Sequence, residues 1–174
     1  MTPQPFMTVG ARLAGSDDIG VLERLYEALA TEQRAIRSIW PFADGLAEPV
    51  ARSLNTMLRR PDAVVVIGYI DAQPLGFLAG FEQPLLEPVS DRSIGVVQLV
   101  FTDREARGVG VGAAMLDLAM AEFEHRGVEL FDARVSPGHR MAKNFFESNG
   151  FKARSITMHR GDTDIDGAPD GHHG

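Results

Sequence analysis

The stretch Arg107-Gly108-Val109-Gly110-Val111-Gly112-Ala113 stands between a run of strand-forming residues and a long run with helical periodicity. The first run covers residues 93–102 (SIGVVQLVFT), and the second covers residues 110–126, with apolar residues at helical spacing. Each glycine inside a helix costs ~1 kcal/mol, so three of them at the first turn need a physical reason. No Ser, Thr, Asp or Asn immediately precedes this helix to bond its first amides. Free amides and the helix dipole favour a bound anion, usually phosphate, and Arg107 adds a positive charge beside it.

The same stretch limits which class of phosphate-containing ligand could bind. The Walker A pattern fails because no Gly-Lys-Ser/Thr follows, which argues against nucleoside triphosphate hydrolysis. Gly108-x-Gly110-x-x-Ala113 fits the loose dinucleotide fingerprint, but residues 103–107 intervene between the strand and the first glycine. A glycine-rich turn that only lets a helix pack closely would show the same pattern. The glycine run alone is therefore consistent with either a phosphate site or a turn that allows close helix packing.

The remaining patterns predict strands and helices around one core. Strands are predicted at residues 7–13, 63–71, 75–83, 93–102, 128–135 and 151–159, and residues 63–71 (AVVVIGYID) are typical of a strand buried on both faces. Helices are predicted after Ser16-Asp17-Asp18, at about 48–60, at 110–126 and in a short segment ending at Ser148. A hairpin turn at Ala72-Gln73-Pro74 implies antiparallel pairing, whereas the strand–helix–strand unit over 93–135 implies a parallel crossover. The predicted fold class is α/β in the α+β sense, a mixed, mostly antiparallel sheet with helices on both faces.

The composition excludes several classes of protein. The 174 residues include 17 Lys and Arg against 24 Asp and Glu, a net charge of −7 that argues against nucleic-acid binding. The chain has no cysteine, which excludes disulfides and thiolate metal sites. No stretch approaches the ~20 apolar residues of a membrane span, and no basic segment with an apolar run indicates export. We expect a cytoplasmic protein with no membrane or nucleic-acid partner.

The charge is unevenly distributed along the chain. We expect a single domain over residues 1–160, followed by an acidic, Gly/Asp-rich tail over residues 161–174. The tail has no Lys or Arg and supplies −4 of the net charge of −7, from Asp162, Asp164, Asp166 and Asp170. Its only large apolar residue, Ile165, cannot offset the entropy lost on ordering the segment. We therefore expect this tail to be flexible.

A second motif, Ala142-x-x-Phe145-Phe146-Glu-x-x-Gly150-Phe151, follows the predicted strand 128–135. The order of strand, Arg-Gly-x-Gly-x-Gly, helix, strand and second motif resembles the GNAT superfamily of acetyl-CoA-dependent N-acetyltransferases. The likeness covers residues 63–159 closely, and Arg107, Gly110 and Gly112 match the first motif of that family. The resemblance implies an acyltransferase with acetyl-CoA as its cosubstrate.

The resemblance also implies where the cofactor binds. In the family, the amides of the glycine loop, here residues 109–113, cradle the CoA pyrophosphate. The strand before this loop, residues 93–102, splays from the next strand, residues 128–135, and pantetheine lies in the gap as an extra strand. The implied cofactor site consists of Val100, Phe101, Thr102, Arg107, Gly108, Val109, Gly110, Val111, Gly112, Ala113, His139, Lys143 and Phe146.

Two positions depart from the family pattern. The asparagine at the start of the last helix is His139 here, and the tyrosine that often protonates the CoA thiolate is Phe146. Phe146 cannot donate a proton, so we expect it to pack against the cofactor while water, Ser136 or His139 returns the proton. A general acid is worth ~10²–10⁴-fold, and a thiol of pKa ~8.5 is a good leaving group, so the loss is modest. The alternative is a non-catalytic CoA-binding or regulatory module.

The acceptor amine must attack as the free base, so a lysine-like acceptor needs a strong base or a desolvating pocket. Glu82 is the candidate carboxylate, although it also fits a solvated acid at a strand end. Gln98, two residues before Val100 and expected on the same strand face, could hold a water. Glu87 and Asp91, in the loop that follows, are weaker candidates for the same base.

The acceptor side is predicted from the loop between the first two helices. Trp40 and Phe42 could pack on the acceptor, with Asp44 or Glu48 supplying charge, or they could plug the helix–helix junction. The expected reaction is acetyl transfer to a primary amine of a small molecule or peptide, by direct attack in a ternary complex. It needs no metal, and the lack of cysteine excludes an acetyl-cysteine intermediate. We expect a homodimer only because members of the family commonly form one.

Overall fold

The computed structural model describes residues 7–36, 45–85, 92–136, 138–158 and 160. One sheet has its strands in chain order: β1 (Val9–Leu13), β2 (Ala63–Ile70), β3 (Gln73–Pro84), β4 (Ser93–Thr102) and β5 (Phe131–Ala133). The helices are α1 (Ile19–Ala35), α2 (Val50–Leu58), α3 (Val111–His125) and α4 (Arg140–Ser148). The pairs from β1 to β4 are antiparallel and the β4–β5 pair is parallel, which confirms the predicted fold class.

The β2–β3 hairpin turns one residue earlier than predicted. Asp71 and Ala72 have φ of 48° and 68°, and Ile70 already pairs with Gln73. Two left-handed residues make a turn whose twist matches that of the flanking strands, so two residues suffice. Gln73 and Pro74 therefore belong to β3 rather than to the turn.

The strand β2 carries the two-layered core. Ala63, Val65 and Ile67 pack with α1 and α2, whereas Val64 and Val66 pack with α3 on the other face. This alternation follows from the two-residue period of a strand, and it confirms the prediction that β2 is buried on both faces. Helices therefore cover the sheet on both sides.

The helix α1 covers its face through a stripe of Leu22, Leu25 and Leu29, each at most 3% exposed. Its start is tied to β1, because Arg12 donates to both carboxylate oxygens of Asp18 at 2.7 and 2.6 Å. Leu54 and Met57 of α2 complete this layer. None of the helices that the structure describes has the length and apolar character that a membrane span requires.

The helix α3 lies very close to the opposite face of the sheet. A Cβ atom on Gly68 would lie 2.6 Å from a methyl carbon of Val111 and 2.8 Å from Met115. A Cβ on Gly76 would meet the carbonyl oxygen of Phe101 at 2.8 Å. The same Cβ on Gly76 would lie 2.9 Å from the Met115 methyl carbon, so glycine at these two strand positions allows α3 to pack closely on the sheet.

The predicted strand over residues 151–159 is wrong for the described part of that segment. Residues 151–158 form no regular secondary structure, and Ile156 and Met158 are 83% and 86% exposed. A residue pattern makes a strand only where a neighbouring strand receives its hydrogen bonds, and no described strand pairs with this segment. The strand predicted at 128–135 likewise shortens to Phe131–Ala133, the residues that pair with β4.

We predict that Gly68→Ala lowers the free energy of unfolding by ~1–3 kcal/mol, because the added methyl group overpacks the contact with Val111. Gly20→Ala is the matched control, since a Cβ on Gly20 of α1 meets nothing within 4 Å. This control should leave stability unchanged or raise it by up to ~1 kcal/mol. Urea denaturation measures both variants, and equal effects would contradict the close packing of α3.

Candidate active site

The first turn of α3 exposes backbone amides because of its glycines. Gly110 is the N-cap residue with a φ of 101°, and no side chain caps the helix. Gly108 also has a positive φ, of 76°. Side-chain-bearing residues rarely adopt these angles, so glycine permits the sharp entry into the helix. The first helical bond runs from the amide of Ala114 to the carbonyl of Gly110 at 3.0 Å, which leaves the preceding amides without a partner inside the helix.

The third glycine has a different role. A Cβ atom on Gly112 would lie 3.0 Å from the ring of Phe145 and 3.6 Å from the Thr102 hydroxyl oxygen. Gly112 therefore lets α4 approach α3. The packing explanation of the glycine run applies at Gly112, whereas the left-handed backbone explains Gly108 and Gly110.

The strands β4 and β5 separate near residues 108–112, which we call the glycine turn. Their register ends at Val97 opposite Ala133, and the amide of Arg134 donates to the Val97 carbonyl at 3.0 Å. β4 continues to Thr102 without β5 beside it. A cavity of about 500 Å³ lies beside this unpaired end of β4, and its wall includes the end of β4, the glycine turn, α1 and α4. The predicted splay between residues 93–102 and 128–135 is therefore present.

Polar side chains meet at one end of this cavity. Arg107 donates from Nη2 to a carboxylate oxygen of Glu32 at 2.6 Å and from Nε to the carbonyl of Thr102 at 2.8 Å. The Nε2 atom of His139 lies 3.9 Å from the other carboxylate oxygen of Glu32. Its Nδ1 atom lies 3.3 Å from Nε2 of the Gln33 side-chain amide. The charge of Arg107, which we expected to face phosphate, is thus shared with a carboxylate.

A second cavity of about 360 Å³ lies on the face covered by α1 and α2. It is lined by Leu46, Ala47, Glu48, Arg52, Ser53, Thr56, Met57, Arg60, Phe81, Gln98 and Leu99. Leu99 belongs to this lining, whereas the next residue, Val100, lines the first cavity. The two cavities therefore reach adjacent residues of β4.

Comparison with known proteins now decides the family. Residues 22–151 match the model of the acetyltransferase (GNAT) family. The chain belongs to the GNAT family. This confirms the resemblance found in the sequence.

Individual relatives are distant. Over 100 residues, the chain is 21% identical to an uncharacterised N-acetyltransferase of Methanocaldococcus jannaschii, and the match covers 58% of this chain and 44% of the relative. The chain thus spans less than half the length of that curated relative. The structure of a ribosomal-protein-alanine N-acetyltransferase from Brucella melitensis biovar Abortus 2308 superposes with a TM-score of 0.66 and 18% identity, covering 88% of this chain and all of that one. A predicted acetyltransferase with acetyl-CoA from Clostridium acetobutylicum gives 0.66 and 16%, covering 88% and 96%. At these identities the structural likeness establishes the GNAT fold.

Most of the predicted cofactor residues line the first cavity of this GNAT domain. They are Val100, Phe101, Thr102, Arg107, Gly108, Gly110, Gly112, Ala113 and His139. The side chain of Val111 is fully buried in the core, and Val109 is 40% exposed. Lys143 pairs with Glu147 at 2.7 Å, and Phe146 is only 3% exposed. The ring of Phe145, beside Phe146, faces the cavity instead.

Several lining residues were missed by the sequence analysis. They are Leu29 and Glu32 of α1, Ala106, and Met141, Ala142, Asn144, Phe145, Ser148 and Asn149 near α4. For α4 a signal existed, because Ala142 and Phe145 belong to the second motif. For α1 the signal was a charged residue on an apolar stripe, since Glu32 lies three residues after the buried Leu29.

The expectation that Gln98 shares a strand face with Val100 is wrong. Ala79 pairs with Leu99 and Gly80 with Val97, so Gln98 is an extra residue in β4. Such a bulge shifts the alternation of side chains by one residue. Gln98 and Leu99 consequently both line the second cavity, whereas Val100 lines the first.

The structure does not bring Glu82 and Gln98 together. Glu82 pairs with Gly95 at the closed end of the β4–β5 pair, and its amide donates to the Asp62 carbonyl at 2.8 Å. Phe81 lines the second cavity, so strand alternation turns Glu82 toward the α3 face. Glu48 does line the second cavity. Trp40, Phe42, Asp44, Glu87 and Asp91 lie outside the described residues.

The environment of His139 favours its neutral form. Burial lowers the pKa of His139, and the neighbouring charge of Arg107 lowers it further, while Glu32 acts in the opposite direction. The neutral ring can accept a hydrogen bond from the Gln33 amide at Nδ1, which leaves the ring proton on Nε2, toward Glu32. His139 therefore holds the start of α4 without adding a charge to the cavity at neutral pH.

This shift predicts a pH dependence of stability. Because the pKa of His139 is lowered in the folded state, the unfolded chain binds a proton at a higher pH than the folded chain. The contribution is complete above the unfolded pKa of ~6.5 and is lost as pH falls through the lowered folded pKa. We expect the free energy of unfolding to fall less steeply below pH ~6.5 in His139→Asn than in the wild type, by urea denaturation. The control is His125→Asn, at an exposed histidine of α3, and an equal change of slope in both variants would contradict the prediction.

Proposed function

We propose that this protein transfers the acetyl group of acetyl-CoA to a primary amine by direct attack in a ternary complex. The observation that carries the proposal is the cavity where β4 continues without β5, directly beside the uncapped start of α3. A strand edge with free backbone groups suits an extended amide-bearing chain, and a helix start with free amides suits a diphosphate. Membership of the GNAT family supports the same ligand.

On the cofactor side, the amides around Gly110–Ala113 would hold the pyrophosphate. The backbone of Val100–Thr102 would pair with pantetheine, as an added strand does at a sheet edge. Phe145 and Ala142 of α4 would close the opposite wall, since both line the cavity. These contacts would place the thioester near the middle of β4, where the second cavity also reaches the strand.

On the acceptor side, the amine would enter through the second cavity. Gln98 and Leu99 line that cavity and directly precede Val100, which lines the cofactor cavity. The bulge at Gln98 thus brings the two compartments to neighbouring residues. Gln98 would orient a water or the amine itself, and Glu48 would supply the negative charge that attracts an ammonium group.

The reaction balances without a covalent enzyme intermediate. The amine nitrogen forms a bond to the acetyl carbon, the carbon–sulfur bond breaks, the amine proton leaves through water toward Glu48, and the thiolate is protonated by solvent. A thiol of pKa ~8.5 needs little acid assistance, which suits a site with Phe146 in place of a tyrosine. Deprotonating a lysine-like amine at pH 7 costs about 4.6 kcal/mol, against about 1 kcal/mol for an α-amine. Amines of low pKa should therefore be the better acceptors.

A second candidate function is a CoA-binding or regulatory module without catalysis. The observation in its favour is Phe146, which is 3% exposed and carries no hydroxyl group. Both candidates need the same cofactor cavity. They differ only in whether an amine is acetylated.

We predict that Gly110→Glu weakens acetyl-CoA binding by more than about 100-fold, because a carboxylate beside a diphosphate costs several kcal/mol. Gly127→Glu is the matched control, since Gly127 also has a positive φ, of 83°, and a Cβ there meets nothing within 4 Å. Both variants place a side chain at a positive φ and make the same charge change, but Gly127 lies beyond the other end of α3. Calorimetry with acetyl-CoA measures the affinities. Equal affinity in the Gly110 variant and the wild type would refute the cofactor site.

Thiol release over a panel of primary amines separates the two candidate functions. We expect amine-dependent release of CoA, with a lower kcat in Gln98→Leu, by about 10²-fold, and an unchanged affinity for acetyl-CoA. The non-catalytic alternative instead predicts acetyl-CoA binding without release on any amine. Turnover of Gln98→Leu at the wild-type rate would show that Gln98 has no part in the reaction.

A further inference from the structure

The last turn of α1 contacts both walls of the cofactor cavity. Glu32 bonds Arg107, which lies 75 positions later in the loop before α3, at 2.6 Å. The adjacent Gln33 lies 3.3 Å from His139, 106 positions later at the start of α4. Two consecutive side chains of one helix thus link the glycine turn to α4.

The Arg107 guanidinium makes a second hydrogen bond besides the one to Glu32. The guanidinium also donates from Nε to the carbonyl of Thr102 at 2.8 Å, so it bridges the end of β4 to α1. The side chains of Arg107 and Glu32 are 27% and 17% exposed. A charge-assisted pair that is largely withdrawn from solvent is stronger than an exposed one such as Lys143–Glu147, whose side chains are 59% and 46% exposed.

The sheet does not hold these walls together beside the cavity. Phe145 of α4 packs on Gly112 of α3, Arg107 Nη1 lies 3.6 Å from the Met141 sulfur, and Glu32 and Gln33 add a further link from α1. The β4–β5 register ends at Val97, before the cavity begins. Beyond that point the glycine turn and the start of α4 both line the cavity. If the walls fluctuate in the free protein, apparent affinity falls by the fraction of molecules in which the cavity is formed.

We infer that Glu32 and Gln33 are positioning residues that hold the cofactor cavity at its binding width. The inference rests on the proposed function, because it takes acetyl-CoA as the ligand of this cavity. A positioning role and simple electrostatics predict opposite effects on acetyl-CoA affinity when the Glu32 charge is removed. Glu32 places a negative charge at a site for a polyanion, so loss of that charge alone would strengthen binding. Positioning predicts that the same loss weakens binding.

The test compares two charge-matched variants of α1. We expect Glu32→Gln to raise the Kd for acetyl-CoA by about 10-fold, the usual scale of a hydrogen bond to a charged group. Glu27→Gln removes the same charge from an exposed position of the same helix and should change the Kd by less than about 2-fold. In steady-state assays of Glu32→Gln, KM for acetyl-CoA should rise while kcat at saturation changes little, a split that general loss of structure would not produce. Urea denaturation checks that both variants fold.

Two further variants keep the inference falsifiable. In Arg107→Gln, the additional change Glu32→Gln should not weaken acetyl-CoA binding further, because the positioning contact is already lost in that background. Gln33→Met should weaken acetyl-CoA binding in the same direction as Glu32→Gln, and it decides the question should Glu32→Gln fail to fold. Unchanged or tighter binding of acetyl-CoA by folded Glu32→Gln, or by Gln33→Met in its place, would overturn the inference. Failure of the wild type to bind acetyl-CoA would instead overturn the proposed function.

Discussion

The structure depends on the point at which β4 loses its parallel partner. Pairing with β5 ends at Val97, although β4 runs on to Thr102. Backbone groups at an unpaired strand edge need partners, and a sheet that remained paired would have no room for a ligand. The first cavity lies beside this unpaired end of β4, where the glycine turn and α4 form its other walls.

The bulge at Gln98 decides which residues of β4 line each cavity. Without the extra residue, strict alternation would direct Gln98 and Val100 to one face of β4. With it, Gln98 and Leu99 line the second cavity, on the α1 and α2 face, while Val100 lines the first cavity. Two compartments then meet at neighbouring backbone positions, which suits a direct transfer between two bound substrates.

Charge in this protein acts locally. The net charge of −7 includes −4 from residues 161–174, so it says little about either cavity. At the first cavity, the cation of Arg107 is balanced by Glu32, and burial lowers the pKa of the nearby His139, which favours its neutral form. The proposed attraction for a diphosphate therefore rests on the uncapped amides at the start of α3, next to the left-handed residues Gly108 and Gly110.

The sequence by itself determined the features that depend on neighbouring residues: the two-faced burial of β2, the start of α3 at the glycines, and the motifs that identify a GNAT domain. Only the tertiary structure decided what depends on distant partners. Residues 151–158 have a strand pattern but no described strand to pair with, and the face of Gln98 depends on a bulge defined against β3. The Glu32–Arg107 contact joins residues 75 positions apart, and no local pattern encodes such a contact because chain folding alone brings the two side chains together.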